Sequence, residues 1–166
     1  MYHWSLYFCL FLALWSMLVG GVFKAFSEFV MRALLGANPT SGIEAMQHIN
    51  RAVLRTEFVA AIILIAVLAP LFAAYGFFSF TGWVRVLLTM TAAVYVSTVF
   101  AVTVVGNVPI NNKLDRMTAS SPEAGAYWPH YGQVWTRLNH LRTLGCIVTS
   151  GLYAISAITL ISTNQV

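Results

Sequence analysis

The sequence predicts an all-α integral membrane protein: a four-helix bundle with a short extra helix between spans 1 and 2. Composition is the first observation: 59% of the 166 residues are hydrophobic and only 8% are charged, against ~25% charged in average globular chains. The second is placement. Charged residues occur only from Lys24 to Glu57, at Arg85, and from Lys113 to Arg142. The third is what lies between them. Residues 1–23, 58–84, 86–112 and 143–166 are charge-free, and ~20 helical residues at ~1.5 Å each cross ~30 Å of hydrocarbon. A water-soluble chain of this size would spread charge over every exposed helix face.

The expected spans cover residues 4–35, 58–78, 83–106 and 133–162, within one membrane domain, 1–166. Residues 1–20 lack a basic N-terminal region and an A-x-A-like site, so they read as part of span 1 rather than as a cleaved leader. Span 1 continues as helix to about Leu35, where Gly36, Ala37, Asn38 and Pro39 stop it. Ser41 and Glu44 have the spacing of a capping box, which opens a helix from Gly42 to about Arg55 that feeds into span 2. Pro70 is the expected weak point of span 2. Residues 78–82 form a tight turn into span 3, and Pro109 ends that span. Residues 111–133 read as loop with a short helical piece, because they hold Pro122, Gly125, Pro129 and Gly132. Cys9 and Cys146 fall inside spans 1 and 4, where thiols behave as small hydrophobes.

Topology follows from the basic residues. Lys24, Arg32, Arg51, Arg55, Lys113, Arg116, Arg137 and Arg142 lie in or beside the two long polar segments, and only Arg85 lies at the turn between spans 2 and 3. This bias favours a cytoplasmic side for both segments and extracytoplasmic termini; a bacterial inner membrane is the expected location. The net charge of +4 is dispersed, so a nucleic-acid partner is not expected. The expected partners are membrane lipid and a small apolar substrate, with a homo-oligomer allowed.

Three polar clusters fall at the same membrane face. Gln47, Asn50 and Glu57, at steps of three and seven, share one face of a continuous helix. Asn107 and Asn111 close span 3. Trp135, Asn139 and Arg142 lie at i, i+4 and i+7, with His140 one position round. Each residue also has a plain structural reading: Asn caps helix ends, and Arg and Trp anchor spans at headgroups. Arg142 and His140 depart from it, since they lie at least a turn inside span 4, where ionisable groups face a bundle interior or a cavity. For a metal, His48 and His140 with Glu57 or Glu28 would make a facial triad, although no H-x-x-x-H or E-x-x-H spacing is present. A haem on one histidine is a further alternative. No serine or cysteine has an evident base partner.

Residues 20–27 (GGVFKAFS), 42–50 (GIEAMQHIN), 107–112 (NVPINN) and 135–143 (WTRLNHLRT) together resemble the anthrone-oxygenase-like family of small four-helix membrane proteins, in family order and over nearly the whole chain. The resemblance implies an oxygenase-type activity with O2 on a small, electron-rich apolar substrate, anthrone- or phenol-like; characterised fungal members of that family convert polyketide anthrones to anthraquinones without a classical organic cofactor. It implies functional roles for Gln47, Asn50, Asn107, Asn111, Trp135, Asn139, His140 and Arg142. Within it, His140 would be a general base or sole nitrogen ligand, and Arg142 with the asparagines would hold an anionic oxygen. Gln47 and Trp135 would contact substrate, and Glu57 is expected to join them from its place on the Gln47–Asn50 helix face. The cofactor stays open between none beyond O2, haem and a single metal ion. A haem- or metal-binding redox protein and a non-enzymatic carrier or scaffold remain the alternatives in function.

Overall fold

The computed structural model describes residues 3–163; residues 1, 2 and 164–166 of the expected domain lie outside the described residues. Among the described residues four helical runs are long and apolar enough to cross a membrane: Trp4–Gly36, Glu57–Ser79, Gly82–Asp115 and Pro122–Ser162. The chain is an integral membrane protein built as a helical bundle.

The first run is α1 (His3–Ala25), a wide π-helical turn (Phe26–Val30) and α2 (Met31–Gly36). Next comes α3 (Pro39–Val53), and the structure corrects its start. No capping box forms at Ser41. Instead Asn38 caps the helix, its side chain accepting from the Thr40 amide at 3.1 Å, and Pro39 occupies the first turn, where a missing N–H costs nothing. Nor does α3 feed into span 2. It ends at Val53, and Thr56 is extended before α4 (Glu57–Ser79) begins. Glu57 in that first turn suits the positive end of the helix dipole. The turn after α4 passes through Gly82 at φ 61°, a left-handed conformation that glycine adopts freely.

The third run is α5 (Gly82–Val94), a π-helical segment (Tyr95–Asn107) and α6 (Val108–Asp115). Thr98 and Thr103 hydroxyls within this segment donate to carbonyls four residues back at 2.7 Å, competing with the ordinary backbone ladder. Pro109 does not end the run: it sits in the first turn of α6. The expected loop is likewise short, because α7 (Pro122–Thr163) starts at Pro122 and runs for 42 residues through Pro129. At ~1.5 Å per residue α7 is ~63 Å long, about twice the hydrocarbon thickness, so its first turns stand outside the span.

α1 lies along α7. A small residue permits the approach, since a Cβ on Gly20 would meet the Cys146 Cβ at 2.8 Å; Gly145 does the same for α7 against the third run, where a Cβ would collide with Thr98. Two apolar clusters result. The larger fills the spans, with Leu12, Ile65, Leu88, Tyr95 and Tyr153. The smaller lies where α2, α3, α6 and the start of α7 meet, with Met31, Ile43, Met46, Leu114 and Trp128. The two long polar segments thus converge at one end of the bundle, and the polar site sits between the two clusters.

Candidate functional site

α7 supplies the centre of the site. Trp135, Asn139 and Arg142 lie on one face, as their spacing requires, and all three are buried. Asn139 is satisfied on both sides. Its Nδ2 donates to the Phe23 carbonyl at 2.5 Å and to Ser27 Oγ at 2.6 Å, and its Oδ1 accepts from an Arg142 terminal nitrogen at 2.5 Å. The Phe23 carbonyl lies just before the helix widens at Phe26, and it also accepts from Ser27 Oγ at 3.0 Å. π-turns of this kind free backbone acceptors and recur at functional sites.

Arg142 is only 5% exposed. Its guanidinium stacks over the Phe23 ring at 4.2 Å and lies 5.6 Å from the Trp135 ring. One terminal nitrogen donates to Asn139 and the other, at 3.4 Å, to Thr103 Oγ1 in the π-helical segment. Its Nε makes no hydrogen bond, and neither does Trp135 Nε1. Among the described residues the ion pairs are Lys24–Glu28 and Arg51–Asp115, so Arg142 has no carboxylate. A buried cation held only by neutral oxygens and π faces keeps most of its desolvation cost. It can lower that cost by accepting an anion.

A cavity of about 90 Å³ opens beside it, lined by Asn50, Asn111, Trp135, Asn139, Arg142 and apolar side chains that include Phe58. Its second polar wall is a relay. Asn50 Nδ2 donates to the Tyr131 hydroxyl at 3.4 Å, and that hydroxyl donates to Asn111 Oδ1 at 2.9 Å. The cavity therefore presents a cation and amides within an apolar shell, an arrangement that can bind an oxygen bearing negative charge.

A family model described as anthrone oxygenase matches residues 46–160, which is most of the chain. The chain belongs to the anthrone oxygenase family. No curated protein and no solved structure matches it. The anthrone oxygenase match takes in every polar residue of the cavity; Phe23 and Ser27, the α1 partners of Asn139 and Arg142, lie before it.

The other sequence-predicted residues take different places. His140 is exposed and lines a separate groove with Leu35, Pro39 and Arg137. Two positions along a helix turn ~200°, so His140 and Arg142 face opposite ways. His48 is also exposed, in a third surface cavity with Arg51 and Arg55. The two histidines do not meet, and the described residues contain no cluster of three His, Cys, Asp or Glu side chains placed to hold a metal ion, so this donor set does not fit one.

Glu57 is separated from Gln47 and Asn50 by the break at residues 54–56, and it lines an apolar cleft between α1 and α4. Gln47 is buried, but its amide is engaged: Nε2 donates to the Leu114 and Met117 carbonyls at 2.9 Å each, tying α3 to the end of α6. Asn107 is 1% exposed, outside the cavity wall, and neither amide atom makes a hydrogen bond. Tyr131, Ser27, Phe23 and Thr103 are the site residues that sequence reasoning missed. Tyr131 could have been found, since it lies four residues before Trp135 on the same helical face.

Proposed function

We propose that this anthrone oxygenase family member is a membrane oxidoreductase that oxidises a flat, electron-rich anthrone- or phenol-like substrate with O2, and that Arg142 holds the substrate's anionic oxygen. The observation that carries the reading is a nearly buried guanidinium with no carboxylate beside a small cavity. An anthrone CH2 lies next to two aryl rings and is conjugated to the carbonyl, so losing one proton gives an enolate. Arg142 with Asn139 would stabilise the enolate oxygen in a site where such donors act far more strongly than in water. The carbanion carbon then gives its electron pair to O2, forming a C–O bond and, after protonation, a hydroperoxide. Breaking the O–O bond with loss of the remaining C–H proton yields the quinone carbonyl and one water. O2 is the oxidant, and its second oxygen leaves as water.

His140 is exposed and lines a separate groove, so the first proton is not assigned to it. The reading instead has Arg142 lower the cost of the anion, with the proton passing to water at the membrane interface. This end of the bundle is taken as the cytoplasmic one, on the bias of the basic residues in the two polar segments. The test is oxygen consumption by the protein in lipid nanodiscs with 1,8-dihydroxyanthrone. Arg142→Met should lower turnover by ~10²–10³, the usual loss for one oxyanion donor. Wild-type turnover in a folded Arg142→Met protein would remove the proposed role.

A further inference from the structure

The polar cavity is about 90 Å³, whereas clefts that enclose a drug-sized ligand run to ~300–1,000 Å³. A ligand whose anionic oxygen reaches Arg142 must keep most of its body elsewhere. A second cleft, about 340 Å³, lies between α1 and α4 and is lined by Phe11, Trp15, Glu57, Ala60, Ala61 and Leu64 among others. Phe11 is 41% and Leu64 50% exposed, so the cleft opens sideways to lipid rather than to water.

The two spaces share one seam. Phe11, Trp15 and Val22 fall at i, i+4 and i+11 on one face of α1, and Phe58, Ala61 and Ile65 at i, i+3 and i+7 on one face of α4. Val22 and Phe58 line the polar cavity, and the others line the cleft. On the polar cavity's side of this seam lies the Phe23–Phe58 pair, packed edge-to-face with centroids 5.2 Å apart; the cleft begins at Glu57, the residue before Phe58 on α4. Phe23 is also the ring beneath the Arg142 guanidinium.

We propose that the α1–α4 cleft binds the apolar body of a fused-ring phenol arriving laterally from the bilayer, and that the Phe58 ring turns aside to let its oxygen reach Arg142. This rests on the anion-binding role proposed for Arg142. The cleft's chemistry favours an aromatic phenol over a lipid chain. Its α1 wall carries two aromatic side chains, with the Phe11 and Trp15 centroids 6.0 Å apart, a surface suited to stacking. Its one ionisable group, Glu57, is an acceptor for a phenolic hydroxyl, whereas an acyl chain offers it only methylenes and a phosphate only repulsion.

The experiment is anaerobic titration of 1,8-dihydroxyanthrone into the full chain in phosphatidylcholine nanodiscs, followed by absorbance, beside oxygen consumption in air. Ala60 is an exposed wall of the cleft, so Ala60→Trp narrows it without disturbing the core. It should weaken binding by ~10-fold or more, the usual scale of an overpacked site. Ile147→Trp, at an exposed position on α7, should leave binding within ~2-fold, a difference of only ~0.4 kcal/mol. Leu64→Phe serves as a second block should Ala60→Trp fail to purify as a monodisperse protein. Wild-type affinity in either folded cleft variant, an equal loss in Ile147→Trp, or no saturable binding to the wild type would overturn the proposal. Cleft-dependent binding without any oxygen consumption would keep the cleft and remove the oxidase reading instead.

Discussion

Arg51 and Arg142 belong to the same end of the bundle and meet their charge in opposite ways. Arg51 lies on the rim, where its side chain is 50% exposed and pairs with Asp115 at 2.6 Å, the partner being 35% exposed. Water and salt already screen such a pair, and it contributes ~0–1 kcal/mol. Arg142 lies at the junction of the two apolar clusters and has amide, hydroxyl and ring neighbours but no acid. Cation–π contacts to desolvated rings return ~2 kcal/mol, less than the several kcal/mol an ion loses on leaving water. The rim arginine is therefore a fold and topology residue. The interior arginine is costly to the fold and makes sense as a binding residue.

The largest effect that can break this comparison is on activity. Arg142→Met should abolish most turnover while lowering the thermal midpoint only modestly, since it relieves the desolvation cost of the buried charge but leaves the Asn139 Oδ1 without its donor. A large drop in melting temperature in detergent, matching the drop in activity, would make Arg142 a structural residue instead.

Gln47 sharpens the same contrast from the other side. It carries no charge, but its two bonds to the Leu114 and Met117 carbonyls close the end of α6. Gln47→Leu should cost ~1–3 kcal/mol of stability by removing both bonds, the Leu114 carbonyl keeping its backbone donor Met117 N–H, and change the turnover of the surviving protein little. Equilibrium denaturation beside specific activity measures both. A strong loss of turnover at full stability would return Gln47 to the substrate contacts that its helix position first suggested.

A smaller effect is expected on the rim. Asp115→Ala should destabilise by no more than ~1 kcal/mol, and the difference should fade as salt rises. A salt-insensitive loss of several kcal/mol would mean that this pair is not a rim contact at all. The smallest expected effect is at His140: His140→Ala should leave oxygen consumption unchanged, because the side chain opens onto a groove away from Arg142. A fall of ~10²–10⁴, the range for removing a general base, would restore the catalytic role that span-4 burial and family resemblance suggested.

The spans were legible because lipid leaves no latitude: a run without charge must be helical to satisfy its backbone. The face shared by Trp135, Asn139 and Arg142 was legible because its spacing lies within one helix. What failed was continuity. Pro109 and Pro122 read as breakers, but both sit in first turns, where proline is tolerated. Taking residues 111–133 as loop hid Tyr131. Assuming one helix from Gly42 through Glu57 put Glu57 on a face it does not share. The two π-helical stretches change which side chains meet, and Ser27 and Thr103 gave no sequence signal that they would face Asn139 and Arg142.

The most direct test of the central claim reads the charge on a bound ligand. 1,8-Dihydroxyanthrone and its anion absorb at different wavelengths, so an anaerobic difference spectrum at neutral pH reports which form the protein holds. The account predicts an anion spectrum on saturating the wild type, and a neutral spectrum, or no binding, with Arg142→Met. A neutral spectrum in the wild type, or the same anion spectrum in a folded Arg142→Met protein, would contradict it.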